Sequence, residues 1–100
     1  MEEKYAPNVG EVVITVHSVE GVCTAGMKVG DKIVLRGPRI KMAETDNLCM
    51  NALAALSPYI RQWGSKPAAP TARPYVCCPD PGPGKGGMGH VIFHLQGRED

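Results

Sequence analysis

An α+β domain with the element order β-β-α-β-β is the fold this sequence predicts. Three observations carry it. Runs of β-branched residues with two-residue alternation stand near both ends of the chain. One stretch between them, residues 45–64, spaces its apolar side chains at helical intervals. Segments rich in glycine and proline separate these runs. Strands that bracket a single helix through hairpin-length connections form an antiparallel or mixed sheet with the helix on one face.

One hundred residues make one domain. A chain of this length buries roughly two-thirds of its unfolded surface, so one core holds it without staples. Aromatic residues are only 5% of the chain, so Val, Ile, Leu and Ala must fill that core. The expected organisation is a polar lead-in at 1–10, the domain at 11–96 and a polar tail at 97–100.

The elements follow in order. Glu11–Val19 ("EVVITVHSV") is a strand, with Val12, Ile14 and Val16 on one face and Val13, Thr15 and His17 on the other. Glu20–Asp31 is a glycine-rich turn region carrying Cys23. Asp31–Gly37 is a second strand with Ile33 and Leu35 on one face, pairing with the first as a hairpin. Thr45–Gly64 is helical, with Thr45 or Asp46 as cap and Gly64 as stop. Cys49, Ala52, Leu53, Leu56, Ile60 and Trp63 form its apolar stripe, and Pro58 inside it predicts a kink or a restart. Ser65–Pro74 is a Pro/Ala linker. "YVCC" (Tyr75–Cys78) is a short strand bounded by prolines and hence close to a sheet edge. Pro79–Gly89 is a loop. His90–Leu95 ("HVIFHL") is the last strand, with Val91, Phe93 and Leu95 on one face and His90, Ile92 and His94 on the other.

Charge and patterning narrow the function classes. The formal charge is +1 with acids and bases interspersed, which gives no concentrated basic face for nucleic acid. "RGPRIK" (Arg36–Lys41) reads as a solvated loop. The first ten residues contain no apolar core of a signal peptide, and no apolar run reaches membrane-spanning length. A cytoplasmic location is therefore expected, where thiols stay reduced. Four cysteines then act as ligands, as reactive thiols or as small buried hydrophobes.

Cys49 falls in the first turn of the helix, where free N–H groups and the dipole favour a thiolate, the form that acts as nucleophile or metal ligand. It also opens the apolar stripe, and taken alone plain packing is the stronger reading of it. Cys23 lies among glycines that let a backbone approach a ligand. Cys78 precedes Pro79, which holds it extended, and Cys77 alternates to the opposite face. No C-x-x-C knuckle is present, so a metal site here must be assembled from distant segments.

Other motifs speak less clearly. "GPGKGG" (Gly82–Gly87) matches G-x-G-x-x-G, but a strand rather than a helix follows, which removes the dinucleotide reading. His90 and His94 share a strand face about 13 Å apart, too far to hold one ion. His17 reads as a further sheet-face histidine. Asp31 and Asp80 flank the cysteine-bearing loops, either to orient a ligand and move protons or to cap turns.

The chain resembles a family of small cysteine-containing proteins found mainly in anaerobic bacteria and archaea, to which no activity is assigned. "GVCTAGMKVGD" (Gly21–Asp31), "LCMNALAALSPYI" (Leu48–Ile60), "CPDP" (Cys78–Pro81) and "HVIFHL" carry the resemblance, which spans Val12–Leu95. It places the family's cysteines on Cys23, Cys49 and Cys78, with Cys77 outside them. Where the family often has histidine this chain has Met27, so a fourth ligand is lost or replaced by a thioether. Three cysteines from three segments suggest one metal site, for an iron–sulfur cluster or zinc, in an accessory protein. A small thiol redox enzyme with Cys49 or Cys78 reactive is the alternative. A domain that oligomerises or binds a protein partner, with cysteines that merely pack, is the third. Neither nucleic acid nor membrane is an expected partner.

Overall fold

The computed structural model describes residues 9–64 and 70–98. Most of the expected lead-in, the first half of the Pro/Ala linker and the last two residues lie outside them. The strands are β1 (Glu11–Gly21), β2 (Lys32–Arg36), β3 (Arg39–Ile40), β4 (Tyr75–Cys77) and β5 (Gly89–Arg98), and the helix is α1 (Met50–Gly64). They form one five-stranded sheet in the order β3-β2-β1-β5-β4. Every neighbouring pair is antiparallel, which resolves the antiparallel-or-mixed expectation. The α+β class and the β-β-α-β-β order hold, with β3 added.

The inner face of the sheet follows the alternation in the sequence. Val12, Ile14 and Val16 of β1, Ile33 and Leu35 of β2, and Val91, Phe93 and Leu95 of β5 are all buried in one cluster with Ala52 and Leu56 of the helix. Leu53, Ile60 and Trp63 pack at its margin. β1 runs two residues further than its pattern predicts, pairing through Gly21 with Gly89, and a bulge between Val16 and Ser18 shifts its register. The extra residue turns Val19 back towards the core opposite Val91, where strict alternation would have sent it outward with His17.

Three boundaries differ from expectation. "RGPRIK" is a hairpin rather than a loop. Arg36 pairs with Arg39 across Gly37–Pro38, and Gly37 adopts φ +57°, which a two-residue hairpin turn accommodates. The helix starts at Met50, not at Thr45. Thr45 and Asp46 are held by β2 instead: the Val34 N–H donates to Thr45 Oγ1 at 3.2 Å, and the Lys32 N–H donates to the Asp46 carboxylate at 2.9 Å. Finally β5 continues through Gly97 and Arg98, which the expected boundary assigned to the tail.

Pro58 does not restart the helix, which runs through it. Proline there removes the bond to the Ala54 carbonyl. Ala54, Ser57 and Pro58 are all exposed, so water can satisfy the freed oxygen.

The far face of the sheet carries a charge cluster and an aromatic patch. Glu11 is 5% exposed and accepts hydrogen bonds from Arg36, Lys41 and Arg98. Burial alone would raise its carboxyl pKa, but hydrogen bonds from Lys41 and Arg98, with their charges, hold it below the usual range. Further along, Tyr75 stands between His17 and His94, with ring centroids 5.0 and 5.1 Å away.

Candidate functional site

At one end of the sheet, on its helix-covered face, three connections converge. The β1–β2 loop carries Cys23 two residues after β1 ends. Cys49 immediately precedes α1, and its carbonyl accepts the helical bond from the Leu53 N–H at 2.9 Å. It is therefore the capping residue, one position before the first turn in which the sequence placed it. Cys78 immediately follows β4. All three line one cleft of about 360 Å³, floored by Val91 and Phe93.

Backbone bonds join these segments. The Val22 N–H donates to the Met88 carbonyl at 3.0 Å, tying the exit of β1 to the entry of β5. Gly89 lies directly beneath the Cys23 loop, where any Cβ would collide with the Val22 carbonyl. The Asn47 amide donates to the Ala25 carbonyl at 2.8 Å, joining the helix approach to the Cys23 loop. Cys78 is held by Val91, whose N–H donates to its sulfur at 3.2 Å.

The third wall is the β4–β5 loop, and Asp80 organises it. Its carboxylate accepts from the N–H groups of Gly82 at 2.8 Å, Met88 at 3.2 Å and Gly89 at 3.2 Å. These bonds, that from Gly82 foremost, hold its pKa below the ordinary aspartate range. His90 Nδ1 lies 2.7 Å from the Asp80 carbonyl oxygen, a contact that requires the proton on Nδ1 because a carbonyl only accepts. Asp31 caps its own turn by accepting from the Lys28 N–H at 3.1 Å.

Cys23 and Cys49 are half-buried, Cys78 is buried, and Cys77 is exposed and outside the cleft. Met27 lines the cleft at 4% exposure. None of the three histidines lines it. Among the described residues, no three His, Cys, Asp or Glu side chains are grouped tightly enough to hold a metal ion. The thiols thus share a cavity without forming a ready-made coordination shell. The donor types are those a thiophilic metal prefers.

Sequence reasoning missed Met88; it offered Asp80 as a turn cap, which the Gly82 N–H bears out, but not its further bonds to Met88 and Gly89. The spacing of Asp80 from Gly82 is a recognisable Asx-turn signal, whereas its bonds to Met88 and Gly89 depend on how the hairpin folds back. No family model matches the chain, nor does any curated protein or solved structure. Among the described residues no helix is long and apolar enough to cross a membrane.

Proposed function

We propose that this protein binds a thiophilic metal ion or an iron–sulfur cluster through Cys23, Cys49 and Cys78, in an accessory role in the cytoplasm. The single observation that supports this is the convergence of three cysteines, from three separate connections, on one cleft. Cys49 and Cys78 directly adjoin α1 and β4, and Cys23 lies two residues beyond β1, so rigid neighbours position two thiols while a loop carries the third. Phe93 and Val91 give the cavity an apolar floor, which strengthens electrostatic attraction between thiolate and cation. The Val91 N–H that donates to Cys78 is the kind of contact that tunes metal-bound sulfur. A bound metal would supply a charged, sulfur-ligated centre for electron transfer or metal delivery.

Anaerobic purification followed by absorption spectroscopy and metal and sulfide analysis tests this. Bound metal that disappears in the Cys23→Ser, Cys49→Ser and Cys78→Ser variants is the expected result. A chain that takes up neither metal nor cluster under reconstitution would overturn the reading. The second reading, a thiol redox enzyme, rests on the half-buried Cys49 at the helix N-terminus.

A further inference from the structure

A second cavity, a groove of about 650 Å³, lies between α1 and the β2–β3 hairpin and shares no lining residue with the cysteine cleft. Val12, Leu35, Ile40, Leu53 and Ile60 line it, with exposed Arg61 beside them. Val12 and Leu35 are buried, but Ile40, Leu53 and Ile60 are only half-buried, so an apolar side chain laid over them removes further surface from water. The chain itself enters at one end of this groove. The Gly10 N–H donates to the carbonyl of Gly64, the last residue of α1, at 2.6 Å. The Val9 carbonyl accepts from Arg36 Nη1 at 3.4 Å, and its side chain lies against Gly37 in the hairpin turn. Val9 thus bridges helix and hairpin and is part of the groove wall. Residues 1–8 ("MEEKYAPN") are tethered at that point.

We propose that this groove is the docking site of residues 1–8 of its own chain, with the Tyr5 ring seated against Ile60 and Leu53. Reach, chemistry and tethering carry the assignment. Four residues upstream of Val9 span at most about 14 Å. Along α1, Ser57 stands about 10 Å and Leu53 about 16 Å from Gly64, so a phenol ring on that tether falls within the groove and not beyond it. Tyr5 is the one aromatic residue of the segment, and tyrosine presents an apolar body with a polar tip, which suits an apolar groove that opens to solvent. Glu2 and Glu3 oppose the charge of Arg61, which favours this approach over that of a cationic segment. A short tether also holds the ring at an effective concentration in the millimolar range. In dilute protein the chain's own segment therefore outcompetes a second copy for the same groove.

The test is NMR of the full chain with labelled isoleucine and leucine methyl groups, comparing wild type with Tyr5→Ala and Tyr5→Leu. Nuclear Overhauser contacts from the Tyr5 ring to the Ile60 and Leu53 methyls are expected in wild type. Both variants should lose the upfield ring-current shift of those methyls, while the Leu95 methyls in the core stay where they are. Tyr5→Leu keeps an apolar side chain for the groove, so it separates loss of the ring from loss of the fold if Tyr5→Ala disturbs the whole spectrum. A mixture of labelled and unlabelled chains distinguishes the occupants, and no contact between differently labelled chains is expected. Ile60 and Leu53 shifts that are the same in wild type and Tyr5→Leu would overturn the proposal. Contacts that appear only between differently labelled chains would overturn it too, and would make the groove an interface between two copies.

Discussion

Cys78 and Val91 are bonded to each other twice. The Cys78 N–H donates to the Val91 carbonyl at 2.9 Å, and the Val91 N–H donates to the Cys78 sulfur at 3.2 Å. That pairing extends the β4–β5 ladder by one residue and turns the Cys78 side chain inward, while Cys77 faces out opposite Ile92. Two adjacent thiols therefore have different surroundings. Cys77→Ser is expected to leave bound metal unchanged and stability within about 0.5 kcal/mol. Under the proposed metal reading Cys78→Ser is expected to remove bound metal, and independently to cost about 1–3 kcal/mol, because a hydroxyl replaces sulfur in an apolar site. Metal content and urea midpoints of the two variants decide it, and equal losses would show that the exposed thiol is the working one.

Glu11 ties three strands and the segment after β3 together through Arg36, Arg98 and Lys41. Removing its charge leaves buried Arg36 facing a neutral partner. Glu11→Gln is expected to cost about 3 kcal/mol at neutral pH, measured by urea unfolding. The folded-state pKa of Glu11 is lowered, so its contribution is complete above the ordinary carboxylate range and fades as pH falls through the folded value. The gap between wild type and variant should therefore narrow below about pH 4. A gap independent of pH would show that the charge of Glu11 contributes nothing.

Asp80 sets the conformation of the loop that walls the cleft. Its pKa is lowered by the Gly82, Gly89 and Met88 N–H groups. The same sign applies: the lock is intact above the usual aspartate range and opens as pH falls through the lowered value. Hydrogen-exchange protection at Gly82, Met88 and Gly89 should fall in Asp80→Ala at neutral pH, with the β1–β5 amides near Leu95 unchanged. Unchanged protection at Met88 would mean that the loop holds its shape without the carboxylate.

The parts of this fold that depend on local pattern were legible in the sequence, and those that depend on register were not. Val12, Ile14, Val91, Phe93 and Leu95 announce the inner face through two-residue alternation, and the Ala52–Leu56 stripe announces the helix face. Val19 could not be placed, because a bulge is invisible until β1 is aligned with β5. Glu11, Arg36 and Arg98 look like scattered surface charges until the pairing sets them in one row across three strands. The helix start was misplaced for a related reason: Thr45 and Asp46 are good caps, but β2 offers them backbone N–H groups of its own. The cleft was partly legible. Each cysteine adjoins the end of an element, which suggested convergence at one end of the sheet. Met88 reaches the cleft only through the fold of an eleven-residue connection between β4 and β5, and no spacing encodes that.

The four thiols differ in exposure, and this separates the functional readings in one experiment. Cys77 is exposed, Cys23 and Cys49 are half-buried, and Cys78 is buried with a hydrogen bond to its sulfur. In metal-free protein, access alone orders alkylation as Cys77 first, Cys23 and Cys49 next, and Cys78 last. Metal changes that order selectively, because coordination draws electron density from a thiolate and lowers its nucleophilicity. Adding Zn(II) or reconstituting a cluster should protect Cys23, Cys49 and Cys78 and leave the rate at Cys77 unchanged, as read by mass spectrometry of labelled peptides. Cys49 reacting ahead of exposed Cys77 without metal would instead identify an activated nucleophile at the helix N-terminus, and the thiol-enzyme reading would displace the metal one. Rates at all four cysteines indifferent to metal would leave the cleft thiols as packing.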